Sequence, residues 1–89
     1  MDHYVWDGRK MTGPEAAMSH LTQVLGSPEP IRDPDGLWDW LCRLPVPFHI
    51  SVTHWDKAAR ALEDYADEVL EVLCDLVEEE PEFTFDMSD

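Results

Sequence analysis

From Ala61 to Asp89 the sequence contains neither lysine nor arginine, although it holds twelve aspartates and glutamates there. The whole chain has 6 basic residues against 20 acidic ones, a formal net charge of -14. A field of that sign repels nucleic acid and anionic membrane. It attracts basic macromolecules and speeds their diffusional encounter by roughly 10 to 1000-fold at low salt. The partner class implied by charge alone is a basic protein.

Other absences narrow the class further. No apolar run approaches the roughly 20 residues needed to span a bilayer, and Met1-Asp2-His3-Tyr4 has neither the basic nor the apolar region of a secretory signal. A cytoplasmic location is therefore expected. Cys42 and Cys74 are too few for a disulfide-stapled scaffold and form no CxxC pair, so both are expected to be reduced. His3, His20, His49 and His54 fall in different segments without HxxxH spacing, so no metal site is expected. No Gly-rich phosphate loop, cofactor fingerprint or nucleophile motif is present, which leaves no cofactor, small-molecule substrate or enzymatic reaction to assign.

What is present is enough to fold. Hydrophobic residues make up 44% of the 89 positions, an ordinary globular share, so the charge imbalance does not imply disorder. The length suits one compact domain, residues 1–89, with one modest core.

Tyr4-Val5-Trp6 before Asp7-Gly8 reads as a strand closed by a turn. Thr12-Gly13-Pro14-Glu15 has capping-box spacing and opens a helix over about Gly13 to Leu25, stopped by Gly26 and Pro28. The stretch Ser27 to Asp33 lacks a period and leads to Asp33-Pro34, an N-cap followed by a first-turn proline, so a second helix runs about Pro34 to Leu44. Phe48, Ile50 and Val52 alternate with His49 and Ser51 in a second strand. Thr53 with Asp56 reads as the cap of a short helix over about His54 to Leu62. From Tyr65 the stripe Leu62, Ala66, Val69, Leu73, Leu76 and Val77 opposes an acidic stripe of Asp64, Glu68, Glu71, Asp75 and Glu78. Pro81 ends that helix, and Phe83, Phe85 and Met87 form a last alternating strand. The order β-α-α-β-α-α-β implies an α/β fold, a small parallel sheet covered by helices mainly on one face.

The second helix carries an unusual constellation. On a helical wheel Leu37, Trp40, Leu41 and Leu44 face the core, whereas Asp35, Trp38, Asp39 and Cys42 share the other side. Like charges at i and i+4 repel by about 0.2 to 0.5 kcal/mol in an isolated helix. A protein interface would favour the arrangement, since tryptophan is enriched at binding hot spots and paired carboxylates accept from arginine, lysine or histidine. The other reading is that Trp38 packs under the Ser27 to Asp33 loop, and the wheel does not decide between them. The acidic stripe of the last long helix likewise reads either as solvated surface or as a partner-facing field.

The run Asp35-Gly36-Leu37-Trp38-Asp39-Trp40-Leu41 resembles the second-helix signature of the barstar family, intracellular inhibitors of extracellular microbial ribonucleases. The similarity continues through the Pro47-Phe48 strand entry, Val69-Leu70 and Phe83-Thr84-Phe85. It implies a three-stranded parallel sheet packed by about four helices, and a protein without catalytic chemistry that blocks a basic secreted ribonuclease of guanyl type in a 1:1 complex. By position, Asp39 looks like the carboxylate that occupies the enzyme's phosphate site, Asp35 its auxiliary acceptor and Trp38 the contact tryptophan. Asp75 falls where the family has a glutamate that meets a peripheral basic residue.

With Asp33 at the end of the loop, Gly36 in the signature and Arg43 at the rim, these seven make up the ribonuclease-binding set the resemblance implies. Two departures stand out. The family's loop usually carries two tyrosines, a glycine and an asparagine, where this chain has Glu29-Pro30-Ile31-Arg32-Asp33. Where the family often has glycine-tryptophan after the helix, this chain has Arg43-Leu44 and is one residue shorter. The pattern implies the same target class with a different target. A rival reading is an antitoxin or immunity protein against another basic nuclease toxin, recognised through the acidic helices.

Overall fold

The computed structural model describes residues 2–89. Strand β1 (Asp2–Asp7) leads through a 3-10 turn (Gly8–Lys10) to α1 (Pro14–Leu25) and α2 (Pro34–Arg43); β2 (Phe48–Thr53), α3 (Trp55–Leu62), α4 (Asp64–Glu79) and β3 (Phe83–Met87) follow. The three strands form one parallel sheet in the order β1-β2-β3, with His3 opposite His49 and His49 opposite Thr84. This is the α/β architecture expected from the element order.

The sheet is two-faced because its strands alternate. Phe48, Ile50 and Val52 are buried with Trp6 and Phe83, and they share one core with Leu21, Leu37, Leu41, Val69 and Leu73. Side chains of the opposite face interact with one another instead. Ser51 Oγ donates to Asp86 Oδ2 at 3.2 Å and lies 2.8 Å from His3 Nε2, while His49 Nε2 lies 2.7 Å from the same Asp86 oxygen. The His49 and Ser51 hydrogen bonds hold the Asp86 carboxyl below the ordinary carboxylate range.

Several local expectations are corrected. Thr12 makes no capping box: Gly13 is the N-cap of α1, in extended backbone and without a side-chain cap, and its carbonyl accepts from Ala17. The helix begins one residue later than a Thr12 cap requires, and glycine at the N-cap has no side chain to accept from the first-turn N–H groups. Thr53 does not cap α3 either. Its hydroxyl donates to the Trp6 carbonyl at 3.3 Å across the sheet, and His54 takes the N-cap position with φ of 52°. Val77 lies outside the buried stripe of α4, at 39% exposure. It sits one residue beyond Leu76, about 100° around the helix, which turns it off the core-facing line.

Gly26 supplies the expected left-handed stop of α1, with φ of 67° and its N–H directed at the Gln23 and Thr22 carbonyls. Gly8 has a different role. A Cβ there would lie 2.1 Å from the His54 carbonyl oxygen, so only glycine lets the turn after β1 close on the end of β2. Among the described residues no helix is long and apolar enough to cross a membrane.

Candidate functional site

The site is built on α2, and local sequence chemistry fixes where that helix begins. Asp33, in extended backbone, accepts from the Gly36 N–H at 2.7 Å; Pro34 takes the first helical position and Asp35 lies in the first turn, where the helix dipole favours a negative charge. Leu37 and Leu41, 0% and 1% exposed, anchor the inner side of the helix. Burying two such side chains is worth about 1.5 to 3 kcal/mol each. With that side fixed, Asp35, Asp39, Cys42 and Arg43 are left exposed to solvent.

Trp40 packs against the core, as the wheel places it, and also takes the position under the loop that the wheel left open for Trp38. Trp38 is only partly exposed, and it packs against the core between α2 and α4, away from the Ser27–Asp33 loop. Trp40 is the residue beneath that loop. Its indole N–H donates to the Leu25 carbonyl at 3.2 Å, and it lines a cleft with Ser27, Pro28, Glu29, Pro30 and Ile31. The missing signal was tertiary: α4 crosses beside Trp38 and covers part of what an isolated helix would expose.

The seven residues singled out from the sequence fall into three neighbouring places. Asp35, Trp38 and Asp75 line a groove of about 370 Å³ between α2 and α4, with Pro34, Glu68, Glu71 and Val72. Gly36, Asp39 and Arg43 line the cleft of about 320 Å³ between α2 and the loop. Asp33 caps α2 and borders a third depression shared by α1, Arg32 and Tyr65. A Cβ on Gly36 would come 3.2 Å from the capping oxygen of Asp33, so the bare glycine keeps that corner uncrowded.

Glu79 and Glu80 join the site although no pattern in the sequence picks them out. They line a further depression with Trp38, Cys42, Leu44 and Val46. Burial, and then the carboxylates of Asp39 and Glu79, push the Cys42 thiol up from its ordinary value. Tyr65 is raised as well, by burial first and then by Asp33 and Glu68. Neither carboxylate of α2 has a basic side chain paired to it among the described residues, where the ion pairs are Arg9 with Asp7 and His49 with Asp86.

An exposed Asp35–Asp39 pair, an adjoining tryptophan held by a second helix and a loop fastened alongside form a surface suited to grip cationic side chains. No three His, Cys, Asp or Glu side chains among the described residues are grouped to hold a metal ion. The family model described as "Barstar (barnase inhibitor)" matches residues 1–88, essentially the whole chain. The chain belongs to the barstar family. No individual curated protein is significantly similar to it. Barstar-family proteins are inhibitors rather than enzymes, and their partner is a ribonuclease.

Proposed function

We propose that this protein binds one-to-one to a secreted microbial ribonuclease of guanyl type and blocks its active site, acting in the cytoplasm of the cell that makes the enzyme. The acidic face of α2 takes the place of RNA phosphate. The observation that carries this reading is the exposed Asp35–Asp39 pair, one turn apart on a helix whose other side is locked in the core. An RNA-cleaving site gathers basic groups to stabilise phosphoryl transfer, and carboxylates offer those groups charge-assisted hydrogen bonds. Inhibition then needs no chemistry from the inhibitor, only occupation.

The α4 carboxylates Glu68, Glu71 and Asp75 flank Trp38 and extend the negative surface beyond α2. They support steering of the basic enzyme. They also favour a second reading, an antitoxin that recognises another basic nuclease mainly through α4.

The test is titration of the purified chain into RNA cleavage by a panel of secreted bacterial ribonucleases. Inhibition complete at one equivalent supports the proposal, and a panel left fully active overturns it. Exchanging Glu68 and Glu71, which lie outside the seven binding residues, for glutamine separates the two readings. Under the first, the association rate falls and the dissociation rate barely changes; under the second, the complex is lost.

A further inference from the structure

Arg43 is a cation on a surface that attracts a basic partner. It is exposed in the last turn of α2, four positions after Asp39, and both residues line the cleft between α2 and the Ser27–Ile31 loop. An i, i+4 acid–base pair can close on itself along a helix. No such ion pair forms here, and Arg43 meets no other carboxylate at pairing distance among the described residues. Its charge is available to whatever enters the cleft.

The cleft is held in shape from both sides. Along the loop, Pro28 and Pro30 fix their own φ angles, and the Ile31 N–H donates to Thr22 Oγ1 of α1 at 2.9 Å. Along the helix, Leu37 and Leu41 hold α2 against the core, and Trp40 is fastened to the end of α1. A partner group that reaches Asp39 in this space comes within reach of the Arg43 guanidinium.

That proximity creates a dilemma for a purely cationic partner. A like charge facing Arg43 in the closed complex costs affinity, whereas a carboxylate facing it adds a charge-assisted pair. Resting on the inhibitor reading above, we propose that this cleft is a mixed-charge subsite. It takes a cation–anion pair from the ribonuclease, the cation at Asp39 and a carboxylate at Arg43. Arg43 then acts as a selectivity filter, rejecting ribonucleases whose basic cleft lacks an acidic group at that distance from the phosphate site.

The experiment uses the full chain with each ribonuclease that the wild type inhibits, comparing Arg43→Ala, Arg43→Lys and Arg43→Glu for Kd and for thermal unfolding. Arg43→Ala is expected to weaken binding by about tenfold, the scale of one charged hydrogen bond. Arg43→Lys should lose less and Arg43→Glu considerably more. A cation that merely complements the C-terminal end of α2 would instead move the thermal midpoint and leave Kd unchanged. Binding of Arg43→Ala as tight as the wild type, or tighter, overturns the subsite while leaving the inhibitor reading intact. Failure of the wild-type chain on the whole panel overturns the reading itself, and the subsite with it. Replacing acidic residues around the enzyme's cleft one at a time by alanine then identifies the partner group. One of them must show an energetic coupling with Arg43→Ala, and the absence of coupling at every position refutes the pair.

Discussion

The indole N–H of Trp40 donates to the carbonyl of Leu25 at 3.2 Å, joining the middle of α2 to the last residue of α1. The segment between these helices is therefore anchored on the structure at both ends. Gly26 closes α1, Asp33 opens α2, and Ile31 is pinned midway by Thr22, whose own hydroxyl donates back to the Met18 carbonyl at 2.8 Å. Pre-ordering of this kind lowers the entropy lost when the loop meets a partner.

Trp40→Phe isolates the contribution of that hydrogen bond, since it keeps the aromatic ring and deletes the donor. The expected loss of stability is about 1 kcal/mol, with faster amide exchange at Ile31 and in the loop around it. Hydrogen exchange followed by NMR measures both. Unchanged protection at Ile31 would show that the loop is held without the indole.

Asp39→Ala is expected to weaken ribonuclease binding by about 3 to 5 kcal/mol, because it strands basic groups of the enzyme in a desolvated site. Asp35→Ala should cost less, since Asp35 lies in the neighbouring α2–α4 groove rather than in the cleft with Asp39. Isothermal titration calorimetry with an inhibited enzyme supplies both values. Equal losses at the two positions would mean that the acidic face acts as a diffuse field with no centre.

Much of this arrangement is legible in the residues. Asp33-Pro34 marks the start of α2, Gly26 marks the end of α1, and the alternation through Phe48–Val52 marks a half-buried strand. Each is a local signal, decided by dihedral preference or by periodicity. The readings that failed depend on what other elements do. Thr53 forgoes the cap because the Trp6 carbonyl of the neighbouring strand is within reach, and the two tryptophans of α2 are sorted by α4 and by the loop. Placing Asp75 beside Trp38 likewise required the packing of α2 against α4, whereas Asp39 and Arg43 are neighbours by helical spacing alone and only the cleft wall opposite them comes from the loop.

His20 makes folding stability sensitive to mildly acidic pH. Its Nε2 accepts from the Asp7 N–H at 3.0 Å, which requires that nitrogen to be unprotonated. Burial, and then the Lys10 charge, lower its pKa from the model-peptide value of 6.5. A lowered histidine means that the unfolded chain binds the proton more readily than the folded one. The corresponding stability is present above the unfolded value and is lost as pH falls through the folded one. Urea midpoints measured from pH 7.5 downward should therefore decline below about pH 6.5, and His20→Gln, which keeps an acceptor, should flatten that decline. An identical slope in the variant would assign the sensitivity to other groups.

Gly8 and Glu63 should respond to substitution in opposite directions, for reasons set by backbone geometry. At Gly8 a methyl group would meet the His54 carbonyl oxygen at 2.1 Å and the Thr53 oxygen at 2.6 Å, and neither backbone atom can yield without moving the end of β2. Gly8→Ala is expected to cost about 1 to 3 kcal/mol or to shift the turn after β1. Glu63 joins α3 to α4 with φ of 55° and ψ of -124°, a conformation that glycine adopts without a steric penalty. Strain of about 1 to 3 kcal/mol at such a residue outweighs the roughly 0.5 to 1 kcal/mol that a glycine loses in chain entropy. Glu63→Gly should therefore raise the unfolding free energy by about 1 kcal/mol, and it removes one negative charge from a surface already crowded with them. Glu63→Gln separates the two contributions, since it removes the charge and keeps the strained backbone. Equal stabilisation by glycine and glutamine would attribute the whole gain to charge, and a destabilised glycine variant would show that the α3–α4 junction is held without strain.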